Sequence, residues 1–177
     1  MACLFVEPAI VLCFFGLLLF VWRGSTGVHI RRAWGAAFAV GAVCSVLLEI
    51  VNERWFAGQG AVYPCTFLPL WPFEFPVAIV LMTGLYAAII AYASCRVGSA
   101  FSFSPVGARL TLAIVAAAFF NLLSIGVEHG GIATGYWRHL RATELLRIYP
   151  FVYLFYGAAS LPATGAFFFI RRDREQP

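Results

Sequence analysis

The sequence predicts an all-α protein, a polytopic membrane bundle of about five transmembrane helices in a single domain over residues 1–177. Three observations predict it. The 177 residues are 62% hydrophobic and only 11% charged, whereas a soluble domain is about a quarter charged. The apolar residues come in long blocks rather than in alternation, with a mean hydropathy of +0.88. The acids and many of the aromatics, finally, gather between or at the ends of the blocks.

Five blocks approach the ~20 residues needed to cross a bilayer. The first runs from about Leu4 to Trp22, with Glu7 and Pro8 marking its start, and the second from about Ala33 to Asn52. The third covers Pro72 to Cys95, the fourth Val106 to Val127 and the fifth Ile148 to Ile170, with a kink expected at Pro162. No basic segment precedes the first block, so no cleavable signal peptide is expected.

Every basic residue is Arg, and their distribution sets a topology. Arg23, Arg31, Arg32, Arg96, Arg109, Arg171, Arg172 and Arg174 fall on one side of the five-span arrangement; Arg54, Arg138, Arg141 and Arg147 fall on the other. By the positive-inside rule the protein is integral to the cytoplasmic membrane, with its N-terminus outside and its C-terminus cytoplasmic. The loops after the second and fourth spans then share the outer side. Arginines that flank apolar runs serve topology, and no nucleic-acid partner is expected. The five cysteines show neither a C-x-x-C pair nor a metal-like spacing, and the absence of paired cysteines excludes a quinone-linked thiol oxidase of similar size.

The segment 48–76 is the richest in chemistry. Glu49 and Glu53 are four apart and share a helix face, with Asn52 beside them. Two carboxylates stacked in a low dielectric repel, so one is expected to hold a proton and serve as a general acid. Glu53 has a plainer reading too, as a water-exposed partner of an arginine. Pro72 suits the first turn of a helix, which puts Glu74 at the favourable positive end of the dipole. Tyr63 and Trp71 lie in the intervening loop.

On the fourth span Asn121, Ser124 and Glu128 follow i, i+3, i+7, a polar stripe that must face protein or water rather than lipid. Trp137 follows in the next loop, and Tyr149, Tyr153 and Tyr156 form an aromatic stripe opening the fifth span. Glu49, Glu128 and His129 lack the spacing of a metal site, so no metal is expected. No Rossmann or P-loop fingerprint is present, and no cofactor is expected. Catalytic roles are therefore assigned to Glu49, Glu74 and Glu128. Asn52, Glu53, Tyr63, Trp71, Asn121, Ser124, Trp137, Tyr149, Tyr153 and Tyr156 are assigned to substrate binding.

One pattern resembles small integral membrane enzymes of isoprenoid metabolism: lycopene cyclases of the small-subunit type, carotenoid hydratases and membrane terpene cyclases. An acid ending a helix (Leu48-Glu49) is followed by a glycine and aromatic loop (Gly58-Gln59-Gly60-Ala61-Val62-Tyr63-Pro64), then by Pro72-Phe73-Glu74. A looser second copy is Glu128, Gly135-Tyr136-Trp137, then Tyr149-Pro150-Phe151. The chain departs from the Pro-x-Glu-Glu of the lycopene cyclases, having one acid after Pro72 and none after Pro150. Its five spans are also fewer than the seven of the terpene cyclases. The resemblance implies an apolar polyene or terpenoid substrate, with Glu74 and Glu128 best matched to acidic positions and Glu49 next.

Two functions follow from these residues. One is a cofactor-independent enzyme that cyclises, hydrates or isomerises an isoprenoid or related lipid. The other is a non-enzymatic accessory or lipid-binding subunit of a membrane complex, in which small residues serve close helix packing and homo- or hetero-oligomers form.

Overall fold

In the computed structural model, the described residues are 5–24, 27–55, 61–64, 66–73, 75–101, 105–139 and 152–172. They form helices α1 (Val6–Gly24), α2 (Val28–Trp55), α3 (Val77–Ser99), α4 (Val106–Phe120), α5 (Ser124–Thr134) and α6 (Val152–Arg172). A 3-10 turn over Asn121–Leu123 joins α4 to α5, so these two make one long rod. Two short strands, β1 (Ala61–Val62) and β2 (Arg138–His139), pair antiparallel.

Three segments are long and apolar enough to cross a membrane: Val28–Arg54, Val77–Ser99 and Val106–Thr134. The apolar part of α1, Val6–Phe20, is shorter. Polar groups are turned inward, with Glu7, Ser45, Asn52, Asn121, Ser124, Glu128, Ser160 and Thr164 all buried. Large apolar side chains such as Leu12, Phe20, Leu47, Val115, Phe119 and Leu154 face outward. In water this distribution would be costly; in hydrocarbon it is the stable one.

α2, α3 and α6 pack on one another, α4 packs on α3 and α6, and α1 leans mainly on α3. Small residues set these distances. Ala33, Ala37, Ala87, Ala88, Ala91, Ala113, Ala159 and Ala163 form the core with Cys95 and Phe167. At the α2–α3 crossing a Cβ on Gly41 would come within 2.5 Å of the Ala87 Cβ. Helices meeting in lipid gain little from hydrophobicity, so close backbone approach through Gly and Ala supplies dispersion contact instead.

The third span begins later than the sequence reading placed it. Pro72, Phe73, Phe75 and Pro76 are not helical: α3 starts at Val77, and Pro76 is its N-cap in an extended conformation. Trp71–Pro72 is a cis peptide. The turn before α3 is closed by Leu70 N–H donating to the Phe75 carbonyl (3.0 Å) and Val77 N–H donating to the Leu68 carbonyl (2.9 Å). The physical reason lies in the prolines, since each pushes the residue before it out of the α region. The helix start expected at Pro72 is therefore corrected to Val77. α2 is longer than expected at both ends, and α6 contains Pro162 as read.

Candidate functional site

Two connections between helices build the site by pairing with each other. β1 and β2 come from the α2–α3 and α5–α6 connections, with Ala61 opposite His139 and Val62 opposite Arg138. Tyr63 follows β1 directly, and Trp137 precedes β2 directly. The strand pair thus delivers one aromatic donor from each connection to the ends of α2 and α5.

The end of α5 shows how the sequence achieves this. Gly135 adopts a left-handed conformation (φ 71°) and terminates the helix. Its N–H donates to the Ile132 carbonyl, and Tyr136 N–H donates to the Gly131 carbonyl, both at 3.0 Å. This double closure is the Schellman arrangement, which favours glycine because it carries no Cβ penalty there. The chain then folds back so that the Trp137 indole covers Gly131, where a Cβ would collide with the ring. Trp137 Nε1 donates to Glu128 Oε2 at 2.9 Å.

Glu128 is buried and receives a second donor, the Tyr156 hydroxyl, on Oε1 at 2.8 Å. Glu49 is held in a parallel manner. The Tyr63 hydroxyl donates to its Oε1 at 2.6 Å and Asn52 Nδ2 to its Oε2 at 3.3 Å. Burial, followed by the Glu49 charge and hydrogen bond, pushes the Tyr63 hydroxyl well above the usual phenol range. Tyr63 therefore stays a proton-bearing donor to Glu49 across the ordinary pH range.

The two carboxyl groups line one cavity of about 60 Å³, together with Ser45, Leu48, Asn52, Tyr63, Ile79, Met82, Thr83, Trp137, Phe155 and Tyr156. α2, α3, α5 and α6 and both paired connections contribute to this wall. The volume holds a few waters or the end of a hydrocarbon chain, and falls below the ~300–1,000 Å³ of sites that enclose a whole ligand.

Of the residues singled out in the sequence, Glu49, Asn52, Tyr63, Glu128, Trp137 and Tyr156 meet here. Glu53 is half-buried and does not line the cavity. Trp71 is 88% exposed in the turn before α3 and does not line the cavity. Asn121 and Ser124 are buried but also stand off the cavity. Asn121 instead ties the 3-10 turn to α6: its Nδ2 donates to Ser160 Oγ (2.7 Å), and Ser160 Oγ is 3.0 Å from Asn121 Oδ1. Glu74 and Tyr149 lie outside the described residues, as does the side chain of Tyr153.

Glu7, read from the sequence as a boundary marker, does more than mark an end. Its Oε2 accepts from the backbone N–H of Phe67 (3.1 Å) and Leu68 (3.0 Å), and its Oε1 from the Tyr136 hydroxyl (2.9 Å). Burial and this carboxylate hold the Tyr136 hydroxyl above the usual phenol range. Glu7 thereby pins the α2–α3 and α5–α6 connections to α1. No sequence signal links it to partners so distant along the chain. Ser45, Met82, Thr83 and Phe155 also escaped notice, being ordinary apolar or small polar residues within apolar runs.

Among the described residues, no group of three His, Cys, Asp or Glu side chains could hold a metal ion. No protein-family model, curated protein or solved structure matches the chain.

Proposed function

We propose that the chain is an integral membrane enzyme acting on an apolar isoprenoid or related lipid by carboxylate acid/base chemistry. The observation that carries this reading is that Glu49 and Glu128, from different helices, line one small cavity whose other walls are mostly aromatic and aliphatic. Glu49 serves as the acid. Its proton adds to one carbon of a substrate double bond, the π pair forms the new C–H bond, and a cation is left on the neighbouring carbon. The rings of Trp137, Tyr63, Phe155 and Tyr156 stabilise that cation electrostatically. Loss of a proton from an adjacent carbon to a carboxylate completes an isomerisation or, after ring closure, a cyclisation. Addition of water, with its surplus proton returned to the carboxylate, completes a hydration. Each sequence balances without a redox cofactor.

The cavity volume fits the reacting end of such a lipid, with the remainder lying along the apolar helices. In this reading the protein is a five-span bundle with its N-terminus outside and its C-terminus in the cytoplasm. α1 and α6 cross alongside the three longer apolar segments. The β1–β2 pair and its aromatics then cover the site from the outer face.

A second reading, a non-enzymatic lipid-binding or accessory subunit, is favoured by one observation: both Glu128 oxygens already have donors. Such satisfaction is also typical of a structural carboxylate. The test is to express the protein in cells supplied with an isoprenoid pathway and to profile the extracted lipids. A new isoprenoid product with the wild-type chain supports the enzyme. An unchanged profile, together with a stoichiometric protein partner in mild detergent, supports the subunit.

A further inference from the structure

We infer that Ser45 and Thr83 form a subsite for a neutral hydroxyl oxygen, of a water or of a substrate alcohol, inside the cavity that holds Glu49 and Glu128. The inference rests on the acid/base reading above and narrows it to one reaction, the addition of water to a double bond or its removal. Both residues line the cavity and both are buried, Ser45 at 3% exposure and Thr83 at 9%. No hydrogen bond joins either hydroxyl to another described residue. Buried hydroxyls are ordinarily paired, as Ser160 and Thr164 are in this bundle. Ser94 and Ser124 also lack partners, but neither lines this cavity.

The position of the pair beside Glu49 follows from the helices. Ser45 precedes Glu49 by one turn on the same face of α2, about 6 Å along the axis. Thr83 stands within a turn of that level on α3. There Gly41, one turn before Ser45, packs so closely that an added Cβ would lie 3.2 Å from the Gly84 Cα and 3.4 Å from the Thr83 carbonyl. The hydroxyls thus mark the end of the cavity away from Asn52, with Glu49 between. A Ser or Thr hydroxyl both donates and accepts, so two of them satisfy a water or an alcohol, which does the same. The lining includes no Arg or His, and two carboxyl groups share it. A phosphate or carboxylate head is therefore disfavoured, and a pure hydrocarbon leaves both hydroxyls unpaired.

The reaction balances around this oxygen. Glu49 gives its proton to the less substituted carbon of the double bond, the π pair forms the C–H bond, and the neighbouring carbon becomes the cation. The oxygen held by Ser45 and Thr83 gives a lone pair to that carbon and forms the C–O bond. Its surplus proton returns to Glu49. The reverse sequence removes water from a tertiary alcohol.

Ser45→Ala and Thr83→Val delete the hydroxyls at nearly constant shape. The melting temperature of the double variant is expected to hold or rise, whereas loss of structural hydroxyls would lower it. Detergent-purified protein is titrated with 2-methylheptan-2-ol or with 2-methylheptane, and the rise in melting temperature with ligand is followed. In the double variant the half-saturating concentration of the alcohol is expected to rise about tenfold, while that of the alkane stays the same. Ser94→Ala, which removes an unpaired hydroxyl elsewhere, is expected to change neither. An unchanged alcohol titration in the folded double variant would overturn the subsite, as would an equal change for both ligands. The second measurement supplies membranes with an isoprenoid alkene in oxygen-18 water. The wild type is expected to yield a labelled alcohol, and the double variant about tenfold less of it. An unlabelled isomer or ring product from the wild type would overturn the subsite and leave the acid/base reading standing. No product at all, with the alcohol preference intact, would remove the acid/base reading and uphold the subsite.

Discussion

Glu49 and Glu128 each receive two hydrogen-bond donors, but from unequal sources. Glu128 is gripped by an indole and a phenol at 2.9 and 2.8 Å, while Glu49 has one short bond from Tyr63 and one long bond from Asn52 at 3.3 Å. The looser second contact leaves Glu49 the freer of the two to exchange a proton with a substrate. Tyr63 and Tyr136 add a dependence on pH. Both hydroxyls are held above the usual phenol value of 10.0, Tyr63 by burial and Glu49, Tyr136 by burial and Glu7. A group whose pKa is raised on folding contributes stability that is complete below its unfolded value and is lost as pH rises. The melting temperature is therefore expected to fall above pH ~10, and the double variant Tyr63→Phe/Tyr136→Phe is expected to flatten that fall. An equally steep alkaline decline in the double variant would remove these two phenols as its cause. At this scale, Glu49, Tyr63, Glu128, Trp137 and Tyr156 were legible because acids and aromatics are conspicuous in apolar surroundings. Glu7 was not, since its partners lie 60, 61 and 129 residues away.

Among the elements, the end of α5 governs the site. Gly130 and Gly131 are neighbours in one helix with opposite surroundings. A Cβ on Gly130 meets nothing within 4 Å, whereas one on Gly131 collides with the Trp137 ring. Gly131→Ala is expected to displace the indole, break its bond to Glu128 and destabilise the protein by about 1–3 kcal/mol. Gly130→Ala is expected to leave stability unchanged or raise it by up to ~1 kcal/mol, from helix propensity alone. Thermal melts of the two variants check this, and a Gly131→Ala melt no lower than that of Gly130→Ala would refute the packing argument. The α-helical runs themselves were readable from apolar length. The start of α3 was not, because Pro72 fits a helix N-terminus equally well until the turn hydrogen bonds of Leu70 and Val77 are known. The two strands, each of two residues, carry no periodicity for a sequence to display.

Taken whole, the molecule places polar groups inside and apolar ones outside, with the α2–α3 and α5–α6 connections joined over one end of the bundle. The proposed orientation makes a direct prediction. In a background without native cysteines, Trp71→Cys is expected to react with an impermeant maleimide applied outside intact cells, and Phe101→Cys only after the membrane is opened. The reverse pattern would invert the topology. The helical class was legible because composition and block length follow from the bilayer's thickness. The site was legible only in part, because the strand pairing and the Gly135 turn that bring Tyr63 and Trp137 to the carboxylates are contacts between distant segments. The central claim is that Glu49 and Glu128 perform acid/base chemistry on a lipid. The most direct measurement is the rate of isoprenoid product formation in membranes carrying wild type, Glu49→Gln or Glu128→Gln at equal folded amounts. The account predicts a loss of about 10²–10⁴-fold for Glu49→Gln, with a substantial loss for Glu128→Gln. Product formation at the wild-type rate in folded Glu49→Gln would contradict it.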